Sequence, residues 1–212
     1  RIFTGARMPE NSRTVVMQEN TKDNGDKVLI KKVPTPGENH RIKGEDIKRG
    51  QIILEKGTNI NTNNLNLIAA IGVKKIKVFK KIKVGFFTSG NELKKPRTKL
   101  KGSEINNSNY YSLTSLLDFN FINKVYCGNL KDSFKYIENK LKFNSKKFNV
   151  IITTGGASVG EEDYLIEVIN KIGKILFWKA AIKPGRPVAL GKVDNCYIIC
   201  LPGNPVSVQL LY

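Results

Sequence analysis

The chain has 212 residues, a formal net charge of +18, one His and three Cys, which is length enough for one or two domains with a real core. No apolar run approaches the roughly 18–20 residues of a membrane span. Three cysteines without a disulfide-like spacing fit a reducing compartment, and hence the cytoplasm. The basic excess is nearly all lysine, 29 Lys against 7 Arg, and Asn (22) and Ile (23) are inflated beside it. These three residue types share A/T-rich codons, and the lysines lie scattered in runs no longer than two. The charge therefore reads as a solvated surface, not as a nucleic-acid site.

In chain order, the β-branched runs 13–19 and 27–33 are expected strands, with Asn24-Gly25 as a turn between them. Pro34, Pro36 and Gly37 break the second run, and 51–55 is a further short strand. Between Asn61 and Ile71 an Asn/Thr start, apolar Leu65, Ile68 and Ala69, and a Gly72 stop predict a short helix. Residues 74–81 form an alternating basic strand or linker. From Ile82 onward strands alternate with helices. Strands are expected at 84–87, 122–127, 150–153, 187–190 and 196–201. Helices are expected over 110–118, after Asp132 as a cap, and over 161–172, where Leu165, Val168, Ile169 and Ile172 share one face. Such alternation over about 130 residues predicts an α/β region with a mostly parallel sheet and helices on both faces. The chain begins at Arg1, without a leader, and ends inside an expected helix, so it reads as a fragment of a longer protein.

Three loops at expected strand ends carry chemistry. Thr153–Glu161 (TTGGASVGE) brings Gly155, Gly156, Ser158 and Gly160 between a strand and a helix. There, backbone N–H groups can approach an anion, although a plain turn needs glycine too. A P-loop is excluded because Glu161 stands in place of Lys. The G-x-S-x-G match at 156–160 lacks a later His, since His40 precedes it. Lys183-Pro184-Gly185-Arg186-Pro187, with Lys179 upstream, places cations on a rigid turn suited to phosphates or is an ordinary basic loop. Leu201–Ser207 (LPGNPVS) offers Pro202, Gly203, Asn204, Pro205 and Ser207 as an anion loop or a capped helix start. Glu92, Asp132 and Asp163 stand at strand ends or loop starts, where carboxylates beside a phosphate commonly hold Mg2+. Cys196 and Cys200 share one strand face and read as buried, inert thiols.

Seven segments together resemble the molybdopterin molybdotransferase family, the molybdenum insertases related to the C-terminal domain of gephyrin. They are 1–9 (RIFTGARMP), 15–19 (VVMQE), 41–46 (RIKGED), 88–93 (TSGNEL), 154–164 (TGGASVGEEDY), 177–187 (FWKAAIKPGRP) and 201–207 (LPGNPVS), in the family's order. The resemblance implies the end of a β-rich domain at 1–45, part of a first, dimer-forming and linking domain at 46–81, and a three-layer α/β molybdopterin-binding domain at 82–212. It implies a cytoplasmic homodimeric transferase of molybdenum cofactor biosynthesis, working with other proteins of that synthesis. Such an enzyme inserts molybdenum from molybdate into adenylylated molybdopterin and releases AMP with Mg2+ assistance. A catalytically silent scaffold of the same fold is the alternative. By the same resemblance Glu92, Asp132 and Asp163 are catalytic acids, with Glu92 and Asp163 as metal ligands. Thr4, Arg41 and Asp46 contact substrate, and Lys179, Lys183, Pro184, Pro202, Pro205 and Ser207 line the substrate and molybdate pocket. Asn91 and Asn107 stand where the family usually has Asp, which predicts a weakened Mg2+ or proton-transfer role at both positions.

Overall fold

A computed structural model describes residues 1–156 and 164–212, arranged as two compact units, 1–77 and 78–212. No described helix is long and apolar enough to cross a membrane.

The first unit holds a 3-10 turn at Gln18–Asn20, a hairpin of β1 (Thr21–Asp23) and β2 (Val28–Ile30), and helix α1 (Thr62–Ala70). The Asn24-Gly25 turn is as expected. Asn24 N–H donates to the Lys27 carbonyl at 2.9 Å, and Gly25 takes φ +84°, which glycine adopts without strain. The first strand, however, lies after 13–19. That run pairs with no strand, and its Val15 N–H goes instead to the Glu38 carbonyl. Residues 51–55 and 74–81 form no strand either. Helix α1 starts as its sequence predicts. Asn61 accepts from Asn64 N–H at 3.1 Å while Asn64 accepts from Asn61 N–H at 3.0 Å, a reciprocal cap that satisfies two orphan donors.

The second unit is a three-layer α/β domain. Its six strands are β3 (Ile82–Ser89), β6 (Ile122–Leu130), β7 (Val150–Thr154), β8 (Lys174–Trp178), β9 (Ala189–Val193) and β10 (Cys196–Leu201). They lie in the order β6-β3-β7-β10-β9-β8, all pointing the same way except β9, which is antiparallel to both neighbours. A two-strand ribbon, β4 (Leu93–Lys94) with β5 (Ile105–Asn106), follows β3. Side chains alternate across the sheet. Phe87, Ile151, Cys196, Ile198 and Cys200 face helices α3 (Phe134–Ser145) and α4 (Tyr164–Ile172). Val84, Phe86, Ile152 and Leu201 face α2 (Ser108–Leu116) and α5 (Pro205–Leu211). The predicted α4 stripe is buried at Leu165, Val168 and Ile169. Strand β9 begins two residues later than the expected start at Pro187 and runs on to Val193. β8, β4 and β5 are strands that the sequence pattern did not announce.

Candidate functional site

Every strand but β9 ends at the same edge of the sheet, and β9 begins there, so the loops after β3, β6, β7, β8 and β10 share one rim. In an open α/β sheet this rim is where ligands bind. Read across the sheet, the rim carries acids at β6 and β3, glycines at β7, the Pro-Gly-Asn-Pro loop at β10, and cations between β8 and β9.

At the acidic end, Glu92 and Asp132 are both exposed. Asn91 Nδ2 donates to Asp132 Oδ2 at 2.9 Å, joining the loops after β3 and β6. Asp132 does not cap α3. The capping position falls on Ser133, which makes no side-chain cap bond. The Glu92 carboxylate folds back on Gly90, where a Cβ would lie 2.6 Å from each carboxylate oxygen. Gly90 has φ +135°, so glycine is needed there both for its backbone and for the space it leaves.

In the middle, Gly155 and Gly156 follow β7 with φ +83° and +72°. The Gly155 N–H donates to the Leu201 carbonyl at 2.9 Å and extends the β7–β10 pairing. Ser158, Gly160 and Asp163 lie outside the described residues. The β10 loop packs onto this turn, with an added Cβ on Gly203 3.6 Å from Gly155 Cα. Asn204 caps α5, accepting from Val206 N–H at 2.9 Å with Pro205 at the first helical position, so this loop is a structured helix entry. Pro202 is buried, and Ser207 is only 2% exposed on the inner side of α5.

At the basic end, the 179–188 loop is pinned at its base. Lys179 N–H donates to Val188 O at 2.9 Å and Ala180 N–H to Arg186 O at 3.0 Å. Gly185 (φ +123°) is buried against Leu211 of α5. Lys179, Lys183, Pro184 and Arg186 are exposed, and the Lys179 ammonium stacks 4.2 Å from the Trp178 ring centroid. Three cations thus lie within eight residues of a chain pinned at its base.

Sequence reasoning did not single out the polar groups behind this rim. Thr88, Tyr126 and Asn129 hydrogen-bond beneath Gly90, and Asn109 Nδ2 donates to the Gly203 carbonyl at 2.8 Å. The signal was present as polar residues inside apolar runs, such as Asn129 in VYCGNL. Thr154 Oγ1 and Asn109 Oδ1 are buried without a hydrogen-bond partner among the described residues. In the first unit, Arg41 and Asp46 pair with each other at 2.8 Å, both largely exposed, and Thr4 is exposed.

Comparison with known proteins fits this geometry. Residues 85–212 match a family described as a probable molybdopterin binding domain, and residues 1–72 match the MoeA N-terminal region, domains I and II. The chain is 36% identical, over its whole length, to 53% of the molybdopterin molybdenumtransferase of Haemophilus influenzae. It is 31% identical, again over its whole length, to 50% of the enzyme of that name from Nostoc. The crystal structure of the molybdopterin biosynthesis moeA protein from Pyrococcus horikoshii OT3 superposes with a TM-score of 0.79 at 30% identity, covering 98% of this chain and 50% of that one. The chain spans about half the length of the curated relatives it matches.

Proposed function

The chain belongs to the molybdopterin molybdenumtransferase family, and on that premise we propose that it inserts molybdenum into molybdopterin at the rim of its α/β unit. The substrates would be molybdate and adenylylated molybdopterin, and AMP the leaving product. The observation that carries this reading is the lateral order of the rim. Three strand spacings of about 4.8 Å separate β3 from β9, so roughly 14 Å lie between the strand leading to Glu92 and the pinned cationic loop. One small oxyanion cannot bridge that distance. A pterin phosphate joined to a nucleotide can, with its anionic groups spread between the Lys179, Lys183 and Arg186 loop and the carboxylates.

In this reading the cations neutralise phosphate and molybdate, Arg186 by a two-pronged contact and the lysines as point charges. Glu92 and Asp132 hold or move protons as AMP leaves, together with Asp163. Among the described residues no three His, Cys, Asp or Glu side chains converge on a point. Mg2+ would be held by Glu92 and Asp163 together with substrate phosphate, a donor set that suits this hard cation, and would screen the phosphate charge. Pro184, Pro202, Pro205 and Ser207 shape the pocket in the same proposal. The intact protein would act as a cytoplasmic homodimer beside other proteins of cofactor synthesis. Lys183→Ala tests it. Molybdate-dependent turnover of the intact protein should fall at least tenfold, the loss of one charge-assisted contact, while Lys146→Ala leaves it unchanged. Equal activity in all three proteins refutes the assignment.

A further inference from the structure

Beneath the acidic end of the rim runs a hydrogen-bond chain whose direction is fixed at both ends. At one end Asn107 caps α2. Its Oδ1 accepts from Tyr110 N–H at 3.1 Å, so its Nδ2 faces Thr88 and donates to Oγ1 at 2.9 Å. At the other end Asn129 Nδ2 donates to the Gly90 carbonyl at 2.7 Å, so its Oδ1 faces Thr88 Oγ1 at 3.1 Å. A backbone N–H can only donate and a carbonyl can only accept, so neither amide can be turned round. The Thr88 hydroxyl has one proton. Receiving from Asn107, it must give that proton to Asn129, and Tyr126 OH, 2.9 Å away, must donate to Thr88. Thr88 is fully buried, where an unmade hydrogen bond is costly.

The chain ends at the residue on which the Glu92 carboxylate is folded. The Gly90 carbonyl also accepts from Leu93 N–H at 3.3 Å, closing the turn that carries Asn91 and Glu92. We propose that Asn107, Thr88 and Asn129 form a one-way hydrogen-bond relay that positions the Gly90–Glu92 turn. They are then positioning residues for Glu92, an inference that rests on the reaction proposed above. In this chain the Asn107 amide supplies a hydrogen that a carboxylate at that position would lack. Thr88 would have to turn its own proton to it and would release Asn129.

Asn107→Asp in the intact protein is the test, because an aspartate still caps α2 while losing the donor. The relay predicts that kcat falls on the order of 10- to 100-fold, the effect of a small misplacement of a reacting group, while KM changes by less than about threefold. Activity should recover as pH drops from about 7 to about 5, as the half-buried carboxyl that the substitution introduces takes up a proton and regains a donor. Tyr126 and the Lys94–Glu104 ion pair are titratable groups beside it, and the parent, which shares them, is the control. Adding Asn129→Leu to Asn107→Asp should cost little more than either change alone. Apart from activity, amide exchange at Leu93 should quicken in both single variants while α2 stays protected. Parent-like kcat with unchanged Leu93 exchange overturns the relay. If the parent itself shows no molybdenum insertion, the proposed function fails, and Leu93 exchange alone decides the relay.

Discussion

Asn91 and Asn107 each use their amide nitrogen, one toward Asp132 and the other toward Thr88. Asn91 thus supplies a hydrogen where a carboxylate would bring a second negative charge beside Asp132. Asn91→Asp would place two carboxylates in contact, which a shared proton or a cation must relieve. The melting temperature of that variant should rise as Mg2+ is titrated into the millimolar range, more steeply than that of the parent. Equal slopes would show that position 91 is structural. Glu92→Gln keeps the shape of the turn and removes its charge, and should lower turnover by at least about a hundredfold if Glu92 handles the proton. Burial pushes the Cys196 thiol up to about 11, so only about a thousandth is thiolate at pH 8. Cys196 should resist iodoacetamide in the folded protein and react once it unfolds. Both β10 cysteines are fully buried, as their spacing predicts, since alternate strand positions share a face and that face is the core.

The elements that local sequence determines were readable, and those that partners determine were not. Helix α1 carries its own reciprocal cap and glycine stop, and α4 its own apolar stripe, so each was legible before any contact was known. Strand β8 follows α4 after a single residue, Gly173, and its run KILFW has no alternation. Only pairing with β9 identifies it. Residues 13–19 have strand composition but no strand beside them. At the rim, the cationic loop and the glycines were legible as motifs, whereas the Asn–Thr–Asn relay joins residues up to 41 positions apart and leaves no spacing signal. Gly173 also tests the packing here, since a Cβ would run into the Lys192 carbonyl of β9. Backbone cannot yield as a side chain can, so Gly173→Ala should destabilise the unit by about 2 kcal/mol or more in urea unfolding. Glu138 ties α3 to α4, accepting from Lys142 at 2.7 Å and Lys171 at 3.1 Å. Those two ammonium groups hold its carboxyl below the ordinary glutamate range. A depressed carboxyl stabilises the fold above its unfolded pKa, and that contribution is lost as pH falls through the folded value. The parent should therefore lose more melting temperature between about pH 6 and pH 3 than Glu138→Gln does.

Across the whole molecule, the +18 charge and the site are separate matters. Acids gather at the β6–β3 side of the rim and cations on the β8–β9 loop, while the other lysines are dispersed, some of them over the separate rings of Tyr136, Phe143, Phe134 and Tyr197. Binding to nonspecific DNA at physiological salt should accordingly be weaker than micromolar. Submicromolar binding that falls steeply with salt would contradict this view of the surface. The central claim is that this rim receives a molybdopterin nucleotide, and titration calorimetry of the intact protein tests it most directly. The parent should bind adenylylated molybdopterin saturably, and Lys183→Ala should bind it at least tenfold more weakly. Absence of binding by the intact parent, or equal affinity in the variant, would contradict it.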